Sequence, residues 1–174
     1  MVTKLPVGKS DEEAMLLERL AVAERTAYML GRPVPVLKRI IRQPFTWSDA
    51  APGRSFLPLE YTVTRSAVEH FVRLNSAIFG PSLIEEEIVP LPFFADEPMQ
   101  CIGTQFAQAG RLHVGHKLEG LQVVPVGSAI RSRAAVVGRY EKSGHQFVQV
   151  ECVVHVLVAA EETPAARITS TLIL

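Results

Sequence analysis

The sequence predicts an α+β domain in which a buried helix is followed by an antiparallel sheet, with a helical extension ahead of both. Three observations predict it. First, residues 112–174 hold four runs dominated by Val, Ile and Leu (112–124, 129–140, 146–160 and 167–174), with period-two alternation in places. Second, those runs are separated by the turn signals Pro125-Val126-Gly127-Ser128, Lys142-Ser143-Gly144 and Glu162-Thr163-Pro164. Connections this short imply antiparallel neighbours, because a parallel pair needs a crossover of roughly a dozen residues. Third, Pro98 to Gly110 is built of small and apolar residues between a Pro at N1 and a Gly at the C-cap, which suits a buried helix.

The elements follow in order along 174 residues, a length that suits one domain. Ser10-Asp11-Glu12-Glu13 offers an N-cap and an acidic first turn, and Leu16, Leu20, Ala23, Ala27 and Leu30 recur at helical spacing up to Gly31. The proline-rich stretch from Arg32 to Pro58, with the lone Trp47, reads as an extended arm laid over an apolar surface. Residues 1–57 are therefore a helix and arm, and 58–174 the domain. That domain opens with a short strand, Leu59 to Val63, and a helix over Thr64–Asn75 capped by Thr64 or Ser66, with Val68, Phe71, Val72 and Asn75 on one face. Residues 80–98, with their prolines and the triplet Glu85-Glu86-Glu87, read as a long surface loop.

Composition narrows the function. Lys plus Arg equals Asp plus Glu, 18 each, so no basic excess exists to neutralise nucleic-acid phosphates. No run approaches the roughly 20 apolar residues of a membrane helix, and the start lacks the apolar core of a signal peptide. Cys101 and Cys152 belong to no ligand motif, which argues against zinc and against a disulfide framework. The expectation is a cytoplasmic protein with reduced thiols, no metal and no cofactor.

Four phrases in sequence order resemble the MaoC-like hydratase and dehydratase family of hot-dog proteins. They are Tyr61-Thr62-Val63-Thr64 running into Val68-Glu69-His70-Phe71, Val89-Pro90-Leu91-Pro92-Phe93, Leu112-His113-Val114-Gly115-His116-Lys117-Leu118-Glu119, and Arg139-Tyr140-Glu141-Lys142-Ser143-Gly144. The resemblance covers roughly residues 59–174. It implies a hot-dog fold, a sheet wrapped around a central helix, acting on acyl-CoA or acyl-carrier-protein thioesters as a homodimer or as a heteromer with a second hot-dog subunit. The family's catalytic signature is D-x-N-P-x-H. With Pro81 as anchor, Ile78 stands at the Asp position and Leu83 at the His position, and neither can transfer a proton. The chain thus resembles the halves that have lost the dyad, including the fatty-acid-synthase-like dehydratase region, and whose partner hot-dog bears it.

Other residues remain as site candidates. His113 and His116 titrate near neutrality, although simple strand alternation puts them on opposite faces. Asn75 and Ser76 end the first helix beside the vanished dyad, where they could bind a thioester carbonyl or cap the helix. Cys101 and Gly103 fall in the central helix, within the Gln100–Gly103 stretch expected to aim backbone N–H groups at the thioester oxygen. Arg131, Arg133 and Arg139 share one strand face and could meet coenzyme A phosphates. Glu69, His70, His145 and His155 read as structural or surface residues. Three functions follow: the dyad-lacking half of an enoyl-thioester hydratase or dehydratase, a lyase or isomerase with a rebuilt site, and a scaffold subunit that clamps a partner with its extension.

Overall fold

The computed structural model describes residues 3–4, 40–41, 43–80, 82–107, 112–159 and 161–174. The helix expected over Ser10–Leu30 and the start of the arm lie outside the described residues; Thr3–Lys4 pairs in parallel with Ile40–Ile41. The domain is a five-stranded antiparallel sheet, β1 (Leu59–Thr62), β2 (Leu112–Gly120), β3 (Ala129–Lys142), β4 (His145–Val158) and β5 (Glu161–Ile173). Its spatial order is β1-β3-β4-β5-β2.

Strand β1 leads into helix α1 (Arg65–Leu74), whose boundaries follow from its caps. The Thr64 hydroxyl accepts the Ala67 N–H at 3.3 Å, and the Asn75 side chain donates to the Phe71 carbonyl at 2.8 Å. Such an N-cap contributes about 1 kcal/mol. Ala67, Val68 and Val72 form the buried face. The segment expected as a surface loop is partly folded and partly core: it contains a short helix α2 (Ser82–Glu85) and a 3-10 turn over Leu91–Phe94, with Val89, Phe93 and Phe94 buried. The apolar run Val89 to Phe94, rather than the acidic triplet before it, decides where that segment goes.

The central helix α3 spans Glu97–Gly103 and packs against β3, β4 and β5. It is shorter than the sequence suggests. The Thr104 hydroxyl donates to the Cys101 carbonyl at 2.7 Å, closing the last turn, and Phe106 turns away to join Phe45 and Phe56 in three edge-on ring contacts. Cys101 and Ile102 are fully buried. Burying a side chain the size of Ile102 stabilises the fold by roughly 1.5–3 kcal/mol.

The arm from residue 43 onward lies over this helix and the β3–β4 hairpin, as its apolar residues predict. Phe45, Ala50 and Phe56 are buried, Phe56 donates its N–H to the Ala134 carbonyl at 2.9 Å, and Trp47 lies beneath the Arg139 guanidinium at 4.7 Å.

Two expectations about connections fail for identifiable reasons. Strand β2 ends at Gly120 rather than Val124, so residues 121–128 form an eight-residue connection. Eight extended residues reach roughly 27 Å, enough to cross three strand spacings of about 4.8 Å each. Strand β2 therefore pairs with β5 at the far edge, not with β3. Likewise the turn between β4 and β5 sits ahead of Glu161, with Ala159 at φ +46°, and Pro164 lies inside β5 opposite His155, where the ladder shifts register. A bulge tolerates the missing N–H of proline. The Lys142-Ser143-Gly144 turn is found as expected, with Ser143 and Gly144 at φ +51° and +77°, the left-handed pair of a two-residue hairpin.

Candidate functional site

Two histidines of the edge strand β2 face the inner side of the sheet. Directly opposed residues of an antiparallel ladder share a face, so His116, paired with the buried Ser170, and His113, paired with the buried Leu172, both point inward. Alternation alone would separate them. A register shift between His113 and Gly115 makes Val114 an extra residue and restores the common face. The expectation that the two lie on opposite faces is thereby overturned: His113 Nε2 lies 3.2 Å from His116 Nδ1, with ring centroids 5.0 Å apart. Ser170 Oγ also lies 3.2 Å from His116 Nδ1. Burial lowers the His116 pKa from its ordinary value, and His113 lowers it further, while the Asp96 carboxylate opposes the shift. The shift favours the neutral imidazole, which can offer a ring nitrogen.

At the start of α3, the fully buried Glu97 accepts a hydrogen bond from the Tyr61 hydroxyl at 2.7 Å, tying β1 to the central helix. Ser170 and Glu97 escaped the sequence reading. The signal for Ser170 was present, since Ile168, Ser170 and Leu172 alternate inward and a lone hydroxyl among them needs a partner.

The remaining candidates are dispersed. Asn75 caps α1 through its side chain and backbone, and the neighbouring Ser76 is exposed. Ile78 is 75% exposed and Leu83 half-buried, so the positions matched to the family's Asp and His are apolar surface. Cys101 is sealed in the core with Sγ 3.7 Å from the Ser132 carbonyl, and Gly103 is buried at the end of α3. The helix begins at Glu97, so the Gln100 N–H already donates to the Asp96 carbonyl at 3.0 Å. Gln100–Gly103 consequently does not supply the helix's free first-turn donors.

Arg131 and Arg133 lie on the outer face and are neutralised there. Arg131 bonds Glu60 at 2.5 Å and also Glu162, and Arg133 bonds Glu162 at 2.9 Å. The two guanidiniums, Arg133 foremost, hold the Glu162 carboxyl down at about 2. Arg139 does not continue this row. The register shift between Val136 and Gly138 turns it to the face of the buried Val148, where it donates to the Trp47 carbonyl at 2.9 Å. Glu69 and His70 sit on α1 beside Arg65 and Arg73, His145 is exposed in the hairpin turn, and His155 is half-buried beside Arg131 on the outer face. No helix among the described residues is long and apolar enough to cross a membrane.

No protein-family model matches the chain, and no curated protein matches it by sequence. Solved structures do. The HadBC complex of Mycobacterium tuberculosis, a 3R-hydroxyacyl-ACP dehydratase, superposes with a TM-score of 0.57 at 16% identity, covering 71% of this chain and 96% of that one. The (R)-hydratase of A. caviae involved in PHA biosynthesis gives 0.56 at 17%, covering 70% and 95%. The MaoC-like dehydratase of Rhodospirillum rubrum gives 0.53 at 17%, covering 74% and 94%. With a central helix under a sheet ordered β1-β3-β4-β5-β2, the chain has the hot-dog fold in the form seen in MaoC-like dehydratases and R-hydratases.

Proposed function

We propose that the chain is a MaoC-like hot-dog that binds an acyl thioester, carried on coenzyme A or on a carrier protein, and works as the dyad-lacking half of an enoyl-thioester hydratase or dehydratase. The observation that carries this reading is the pairing of that fold with Ile78 and Leu83, two apolar residues at the positions matched to the family's proton-transfer groups, one of them openly exposed. Hydration of an enoyl thioester adds water oxygen at the β-carbon and a proton at the α-carbon, so a group able to take and give a proton is indispensable. A second hot-dog chain bearing the Asp/His dyad supplies it, in the cytoplasm and without cofactor.

Strand β2 is where that second chain joins. Among the described residues it is an edge strand of nine residues paired on one side only, with Leu112 62% and Val114 44% exposed. An uncovered edge of this length and apolarity invites pairing with another strand. The similarity to a chain of the HadBC complex supports a heteromeric arrangement.

The test is a binding and turnover assay of the purified chain with crotonyl-CoA and longer enoyl-CoAs. Binding without hydration by the chain alone, and hydration once a dyad-bearing hot-dog is added, is the expected outcome. A second reading, a lyase with a rebuilt site, is favoured by one observation, the contact of His116 with His113 and Ser170. It requires turnover by the chain alone that His116→Ala abolishes.

A further inference from the structure

On the inner side of the sheet two β2 histidines and a β5 serine meet at His116 Nδ1. His113 Nε2 and Ser170 Oγ each stand 3.2 Å from His116 Nδ1, and His116 Nδ1 cannot satisfy both with a single proton. The spacing has a second meaning. Two imidazole nitrogens bound to one tetrahedral zinc at about 2.05 Å each stand roughly 3.3 Å apart, so the pair already has the bite of a chelate. The bulge at Val114 creates that bite, because without it residues three apart on a strand face opposite ways. Both histidines remain exposed, so an ion can enter.

We propose that His113 Nε2 and His116 Nδ1, with Ser170 Oγ as a weaker third donor, form an open binding site for a borderline divalent cation such as Zn²⁺. The donor set is two imidazole nitrogens and one hydroxyl. It suits zinc, nickel or copper, whereas magnesium and calcium take carboxylate and carbonyl oxygens. No group of three or more His, Cys, Asp or Glu able to hold a metal exists among the described residues. The site is therefore not a closed structural zinc centre, and its remaining positions belong to water or to an oxygen ligand. This goes beyond the thioester reading and stands or falls without it.

The experiment titrates the metal-free full chain with Zn²⁺ against a chromophoric chelator, and with Co²⁺ to read coordination from its visible bands. One equivalent of zinc is expected to bind, unaffected by excess Mg²⁺ or Ca²⁺. His113→Gln and His116→Gln should each weaken zinc at least tenfold and shift the cobalt bands, while His145→Gln, in the exposed hairpin turn, leaves both unchanged. Circular dichroism of each variant establishes that it is folded, and titration of the parent alone decides the matter should one variant not fold. Absence of stoichiometric zinc binding in the parent, or binding that survives both substitutions, overturns the proposal.

Discussion

His113 and His116 touch, Nε2 to Nδ1 at 3.2 Å, because Val114 is an extra residue in β2. Deleting Val114 should leave a regular ladder in which His113 and His116 stand two residues apart and still share the inward face. Nuclear Overhauser contacts between the two imidazoles, present in the parent, are expected to persist in the deletion. Their loss would show that ladder register does not set the contact.

The outer-face ion cluster predicts acid sensitivity. Glu162 has its pKa depressed from 4.5 to about 2 by Arg133 and Arg131. A depressed carboxyl adds stability above its unfolded pKa and loses it as pH falls through the folded value. The thermal midpoint should therefore drop between about pH 4.5 and about pH 2, and Glu162→Gln should flatten that part of the profile. Solvent screening keeps the effect small at neutral pH. An unchanged profile in the variant would assign the acid transition to other carboxylates.

The arm should be part of the core rather than an appendage. Phe45, Phe56 and Phe106 make three mutual edge-on contacts at 5.1–6.4 Å between centroids, and Arg54 lies over Phe106 at 5.0 Å. Phe45→Ala should cost about 3–5 kcal/mol in chemical denaturation with an unchanged slope. A loss below about 1 kcal/mol would mean that the arm detaches at no expense to the sheet.

Tyr61→Phe removes one donor from the buried Glu97 while keeping the ring. Removing one partner of a buried hydrogen bond costs about 1–3 kcal/mol, and the destabilisation should fall in that range. Stability equal to the parent's would show that Glu97 does not depend on this bond.

Much of the fold was legible because local chemistry specified it. The Thr64 and Asn75 caps set α1, the Ser143-Gly144 pair set the β3–β4 hairpin, and the small apolar residues after Pro98 marked the central helix. The errors of facing share one cause. The register shifts at His113/Gly115 and Val136/Gly138 invert the alternation that follows, which brought His113 to the side of His116 and sent Arg139 away from Arg131 and Arg133. The third shift, at Val154/His155, absorbs Pro164 and so hid the true turn. A bulge is one extra residue set against a partner strand, and where it falls is fixed by that pairing rather than by the strand's own residues. Pairing order escaped for a related reason: β2 joins β5 across the whole sheet, a choice made by packing over the central helix rather than by the turn next to it.

The most direct measurement of the central claim is turnover of crotonyl-CoA by the purified chain, read beside its binding of the same thioester. The account predicts saturable binding with no hydration until a dyad-bearing hot-dog chain is added. Robust hydration by the chain alone, or no thioester binding at all, would contradict it.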